Sequence, residues 1–182
     1  SNKNDLVIFL ISGGGSSLLS LPSNNILLED KIKLTNLLLK TDCSIDEINT
    51  IRKHVSDIKG GRLAEFALPS ICYSYIISDV IGDDISTIAS GPTIEDMTTF
   101  NDAQKILLKY NLFDKIPSSI RSHINKGLEG NIPETPKKLD NVNNNIICSN
   151  SIMQKEAALV ASKLGYKAIV CPFTFTDEAR KD

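Results

Sequence analysis

Apolar residues follow two rhythms along this chain. Continuous apolar runs occur at Asp5–Ile11, Ser70–Ser78, Asn145–Ser149 and Lys167–Pro172, and each reads as a buried strand. Between them, apolar residues recur at three- and four-residue spacing. Leu28–Lys40 carries Leu28, Ile32, Leu34, Leu37 and Leu38 on one face, which predicts a helix. Asp46–Ile58 repeats the pattern, with Ser44 placed to cap it and Glu47 to complete a capping box. Gly60-Gly61 interrupts before a short helix over Arg62–Ala67. Further helices are predicted at Asn101–Tyr110, capped by Thr99 or Asn101, at Pro117–Gly127, and at Ser151–Leu164, closed by Gly165. Asp177 is placed to open another.

Strands separated by helices of this length imply parallel pairing. The expected fold is α/β: a three-layer, mostly parallel, Rossmann-like sheet with helices on both faces. One domain over residues 1–182 accounts for the length. The chain starts at a core strand and stops as a helix begins, which predicts a fragment of something larger.

Composition narrows the function. A net charge of −2 supplies no basic footprint for nucleic acid. Trp is absent and aromatics are 5% of residues, so base-stacking platforms are not expected. No apolar run approaches the length of a membrane span. Cys43, Cys72, Cys148 and Cys171 include no Cys-x-x-Cys pair, and three of the four lie in strand-like runs. They read as free core thiols in a reducing, cytoplasmic compartment.

Three segments carry candidate chemistry. Ser12-Gly13-Gly14-Gly15-Ser16-Ser17 follows the first strand, at the carboxyl edge where ligands bind in open α/β sheets. Glycines let backbone amides approach an anion closely. Leu18 stands where a nicotinamide fingerprint requires its third glycine, and the Gly-Lys-Ser/Thr of a P-loop is missing. Asn49–Ala64 then packs Arg52, Lys53, His54, Lys59 and Arg62 around Gly60-Gly61. That density of cations suits a polyanionic substrate, although a charge run is commonly a solvated helix face. The glycine pair suggests a second turn that lets a phosphate approach.

Ser78-Asp79-Val80-Ile81-Gly82-Asp83-Asp84 ends the second strand. Carboxylates there could hold Mg²⁺, which takes oxygen ligands. Asp79 reads as a metal or substrate ligand and Asp84 as a helix cap. Weaker candidates are Ser90-Gly91-Pro92-Thr93 with Asp96 and Thr98-Thr99, Glu134-Thr135-Pro136-Lys137, and Ser149-Asn150.

Together these segments resemble the class II glycerate kinases, the family that also carries a MOFRL domain. The matching pieces are Ser12–Leu19 with Pro22, Glu29-Asp30-Lys31, Glu47–Ala64, Ser78–Asp84, Ile88–Thr93 with Asp96–Phe100, Glu134–Lys137, Ser149-Asn150 and Asp177–Arg180. Asp177 replaces the family's usual glycine, and Ser17 a frequent alanine. The resemblance covers less than half of a typical member. It implies that a preceding helical segment and a C-terminal MOFRL domain lie outside this piece of the N-terminal domain. It implies ATP, Mg²⁺ and D-glycerate, with transfer to the 2-hydroxyl, and assembly into a homo-oligomer stays open.

On that resemblance, Lys53, Lys59 and Asp79 are expected to be catalytic, with Asp79 and Asp83 at the metal. Phosphate and substrate would meet Ser12, Gly13, Gly14, Gly15, Ser16, Ser17, Arg52, His54, Gly60, Gly61, Arg62, Ser90, Gly91 and Asn150. Two alternatives remain: a hydroxypyruvate reductase-type oxidoreductase and a non-catalytic nucleotide-binding relative.

Overall fold

The computed structural model describes residues 2–171. Its strands are β1 (Leu6–Ser12), β2 (Ile71–Ile77) and β3 (Val142–Cys148). Its helices are α1 (Gly15–Leu18), α2 (Leu28–Leu38), α3 (Ile45–His54), α4 (Arg62–Phe66), α5 (Phe100–Lys109), α6 (Ser118–Leu128) and α7 (Asn150–Lys163). A single 3-10 turn spans Ile88–Ser90. The fold is α/β with a parallel sheet in the order β1-β2-β3.

Register aligns the strand ends. Ser12 lies opposite Ile77, and Ile77 opposite Cys148. The segments that follow each strand therefore leave from one carboxyl edge: the glycine loop, Ser78-Asp79 and Ser149-Asn150.

The main core lies among the helices. Leu34 and Leu38 of α2, Ile48 and Ile51 of α3, Ala103 and Leu107 of α5, and Ile120 and Ile124 of α6 form one buried cluster. Helical spacing puts these apolar residues on facing stripes. Local caps fix the helix starts. Ser44 and Glu47 form the expected capping box on α3, and Thr99 and Asp102 form another on α5. Along β2, burial alternates: Cys72, Ser74 and Ile76 are buried, whereas Ile71, Tyr73, Tyr75 and Ile77 are exposed. One sheet face is thus uncovered among the described residues, although the apolar runs had suggested burial on both.

Three elements differ from expectation by more than two residues. α3 ends at His54 rather than Ile58, because the next residues pair elsewhere. Ser56 bridges Pro22 and donates its hydroxyl to the Leu21 carbonyl, and Asp57 N donates to the same oxygen. β3 starts at Val142 rather than Asn145, despite the low strand preference of asparagine. Asn144 compensates: its amide donates to Thr93 O, and its oxygen accepts from the Thr93 hydroxyl at 2.8 Å. The expected strand at Lys167–Pro172 is not in the sheet, since residues 167–171 have no regular structure. Pro172 and the helix expected from Asp177 lie outside the described residues.

Candidate active site

The glycine loop and the 3-10 turn face each other at the carboxyl edge of β1. Gly14 has φ 77°, which turns the chain sharply into α1. Ser16 and Ser90 hydroxyls lie 2.6 Å apart, and Ser90 Oγ donates to Asn49 Oδ1 at 3.0 Å. Ala89, Ser90 and Gly91 occupy the left-handed region in succession, at φ 53°, 63° and 56°. For alanine and serine that conformation costs energy, which the surrounding bonds must offset.

Those bonds involve the second glycine pair. Gly60 N donates to Ser90 O at 3.1 Å, and Gly61 N to Gly91 O at 2.8 Å. Gly61 also has the Ile94 carbonyl where a Cβ would sit. The pair therefore lets two backbones approach each other, and its amides are not available to a phosphate. This corrects the expectation of a second phosphate-approach turn at Gly60-Gly61.

Cations from three elements gather behind the glycine loop. Lys59 is fully buried, and its Nζ donates to Ser16 O at 2.8 Å and to Ala89 O at 3.4 Å. Arg52 Nη2 donates to the same Ser16 oxygen at 2.8 Å. Lys31 of α2 is buried too, and its Nζ has no hydrogen-bond partner. Burial and the charges of Arg52 and Lys31 push the Lys59 ammonium down to about 7. Burial and Arg52 push Lys31 down to about 8, against an opposing pull from Asp57.

Asp79 stands on the other side of the loop, exposed at the tip of β2. A Cβ on Gly13 would overlap its carboxylate. Neither Asp79 nor Asp83 has a side-chain hydrogen bond or ion pair among the described residues. Asp84, by contrast, accepts from Ser86 N, Ser86 Oγ and Thr87 Oγ1; it closes a turn rather than capping a helix as expected, since Thr87 holds the N-cap position of the 3-10 turn. No group of three or more His, Cys, Asp or Glu residues is arranged around a metal position among the described residues. Asn150 opens α7 at the tip of β3, next to Ser149, whose hydroxyl accepts from Ile152 N.

Three expected ligands are already occupied. Lys53 pairs with Asp96 at 3.4 Å, both buried. Burial pushes the Asp96 carboxyl up, but Lys53 and hydrogen bonds from Thr98 outweigh it and hold the group below its ordinary value. His54 uses both ring nitrogens, Nδ1 with Thr50 O and Nε2 with Glu134, and packs edge-on against Phe100. Arg62 donates to Pro133 O. These side chains knit the α3–α5 region to residues 133–137. Among the described residues, Arg52 and Lys59 are the two of the five expected cations that bond to the glycine loop.

Sequence reasoning gave no role to Lys31 or Asn49; Thr135, a weak candidate there, donates to Asp96 Oδ2 at 3.0 Å. A signal for Lys31 did exist. It occupies the same helical stripe as Leu34 and Leu38, where a charged residue is out of place.

Known proteins bear on this arrangement. The family model DUF4147, described as a domain of unknown function, matches residues 1–125. A protein of Pyrococcus horikoshii named glycerate 2-kinase is 49% identical over 181 residues, covering 99% of this chain and 41% of its own length. A crystal structure of a Pyrococcus horikoshii protein superposes with a TM-score of 0.83 at 50% identity, over 92% of this chain and 38% of that one. A crystal structure of glycerate kinase from Thermotoga maritima gives 0.82 at 43% identity, over 93% of this chain and 39% of that one. The chain thus spans less than half the length of the relatives it matches.

Proposed function

Because the chain belongs to the DUF4147 family, we propose that the full-length protein transfers the γ-phosphoryl group of ATP to the 2-hydroxyl of D-glycerate. The observation that carries this reading is the meeting of three features at one sheet edge. An open carboxylate, Asp79, overlies Gly13, and the cations Arg52 and Lys59 converge behind the same loop on Ser16 O. Relatives named glycerate kinase support the substrate and the reaction class.

Phosphoryl transfer needs positioning and charge neutralisation more than covalent chemistry from the protein. The 2-hydroxyl oxygen attacks phosphorus, the bond to the ADP oxygen breaks, and the hydroxyl proton passes to a base. The glycine loop, Gly13–Ser17, holds a phosphate or the glycerate carboxylate. Arg52 and Lys59 offset the negative charge, a role Lys53 and Arg62 cannot share while bonded to Asp96 and Pro133. Ser90, Gly91 and Asn150 line the same cleft.

The donor set fits Mg²⁺, which is held by one or two carboxylates and otherwise by waters and substrate phosphates. Asp79, with no side-chain partner, and Asp83, four residues further along the same loop, would hold the ion. Bound there, Mg²⁺ would neutralise charge on the transferring phosphate. Asp79 is also the carboxylate best placed to accept the hydroxyl proton. The protein acts as a soluble enzyme in the cytoplasm on this reading, and no described helix is long and apolar enough to cross a membrane.

The test is ADP release by the full-length protein with MgATP, with and without D-glycerate. Release that depends on glycerate supports the kinase. NADH consumption with hydroxypyruvate, and no ADP release, replaces it with the reductase. Binding of MgATP without any turnover would leave a nucleotide-binding relative.

A further inference from the structure

Lys31, Arg52 and Lys59 come from α2, from α3 and from the turn after α3, and they meet behind the glycine loop. Their acceptors are strikingly few for so much charge. Lys59 and Arg52 both donate to one neutral carbonyl, Ser16 O, each at 2.8 Å, and Lys59 has besides it only the neutral Ala89 O at 3.4 Å. Lys31 Nζ and Arg52 Nε are buried with no hydrogen-bond partner at all. Among the described residues, none of the three forms an ion pair with a carboxylate, and Asp57 acts on Lys31 only from a distance.

Capping α1 explains only part of this. The last carbonyls of a short helix lack intrahelical partners, and a cation can satisfy one. One donor would suffice for Ser16 O, and Lys31 bonds to no carbonyl. Buried cations without counter-ions are destabilising, and apolar residues of similar volume would serve packing better. Three retained cations, mutually repelling, point to an anion as the missing partner.

We propose that Lys31, Arg52 and Lys59 form an oxyanion site behind the glycine loop, in which an oxygen of a phosphoryl group or carboxylate takes the place that the Ser16 carbonyl now holds. This deepens the phosphotransfer reading above and rests on it. The guanidinium of Arg52 can pair with two oxygens of such a group, and the two ammonium groups supply point charges around it. Gly14, at φ 77°, gives the loop the backbone freedom to turn the Ser16 peptide away. Lys31 is then a binding residue, although it stands far from the loop in sequence.

The test uses the full-length protein as wild type, Lys31→Met and Lys31→Arg. Calorimetric titration with inorganic phosphate alone and with D-glycerate alone separates the two sources of oxyanion. Thermal unfolding is recorded without either. The expected result is at least a tenfold loss of affinity for one of the two anions in Lys31→Met. Lys31→Arg stays within a few-fold of wild type, and the anion-free Tm of Lys31→Met is unchanged or higher. A loss confined to phosphate assigns the site to a phosphoryl group, and a loss confined to glycerate assigns it to the carboxylate. Wild-type affinity for both anions in Lys31→Met overturns the proposal, whatever its Tm. Lys31→Gln replaces Lys31→Met, read in the same way, if the methionine variant does not fold. Lys31-dependent phosphate binding in a protein that makes no ADP keeps the site and removes the kinase reading. Normal turnover with Lys31-independent binding does the reverse.

Discussion

Replacing Lys59 with methionine should stabilise the protein near neutral pH while destroying its activity. The Lys59 ammonium is fully buried and lies at about 7, against an ordinary lysine value of 10.5. Because the folded value lies below the unfolded one, the native state binds fewer protons between those two values. Stability therefore rises with pH across that window, and the full penalty applies below about pH 7. At pH 7 the shift corresponds to on the order of 4 kcal/mol against folding. Lys59→Met removes that penalty with a side chain of comparable length and flexible shape. It also strips Ala89 O of its donor, which costs about 1–3 kcal/mol, whereas Ser16 O keeps Arg52. The net expectation is a gain of roughly 1–3 kcal/mol at pH 7. Near pH 10 wild-type Lys59 is neutral in the native state but still mostly charged in the unfolded chain, so the penalty has fallen to roughly 1 kcal/mol and the lost hydrogen bond offsets or outweighs it. Urea unfolding at pH 6.5, 8 and 10 should show the two stability curves crossing between about pH 8 and 10. Turnover of D-glycerate should fall by at least about a hundredfold, the usual scale for one electrostatic contact at a reacting group. A variant destabilised equally at every pH would refute the reasoning, because it would mean Lys59 carries no strained charge.

Other substitutions probe the remaining parts. Asp79→Asn should abolish ADP release with an unchanged unfolding midpoint, since the exposed carboxylate has no partner to lose; near-normal turnover removes Asp79 from the mechanism. Gly13→Ala should push the Asp79 carboxylate aside. Its kcat should therefore drop sharply, whereas its stability, followed by denaturant unfolding, changes by less than about 1 kcal/mol, because the displaced group is the end of an exposed side chain. Asp96→Ala leaves Lys53 buried and uncompensated and should cost about 3–5 kcal/mol in urea unfolding; a loss below about 1 kcal/mol would show that water reaches Lys53.

The helices and their order were legible because their information is local. The Ser44–Glu47 capping box lies within four residues, and it formed as its spacing required. The β2 run was recognisable by composition, and the glycine loop by its place directly after a strand. Where local preference and distant bonding disagreed, the distant partner prevailed. The α3 pattern could run on through Ile58, but Ser56 and Asp57 found partners at Leu21. Asn144 entered β3 through its bonds to Thr93, which is 51 residues away.

The candidate site divides in the same way. Residue types, and their placement at strand ends, marked Gly13–Ser17, Asp79, Ser90 and Asn150, because a parallel sheet delivers every strand end to one edge. Which cation faces that edge was beyond the reach of a linear pattern. Arg52, Lys53 and His54 are consecutive, but successive helical residues point about 100° apart, so they meet different neighbours. Arg52 reaches Ser16, Lys53 meets Asp96, and His54 meets Glu134, 80 residues away. Lys31, given no role by the sequence reading, joins Arg52 and Lys59 only because α2 packs across α3. The chain by itself thus determined the order of its first three strands and the helices between them, its caps and the loops that could carry chemistry. Tertiary packing decided which charges are neutralised and which remain, since a side chain's counter-ion is set by proximity in space, not along the chain.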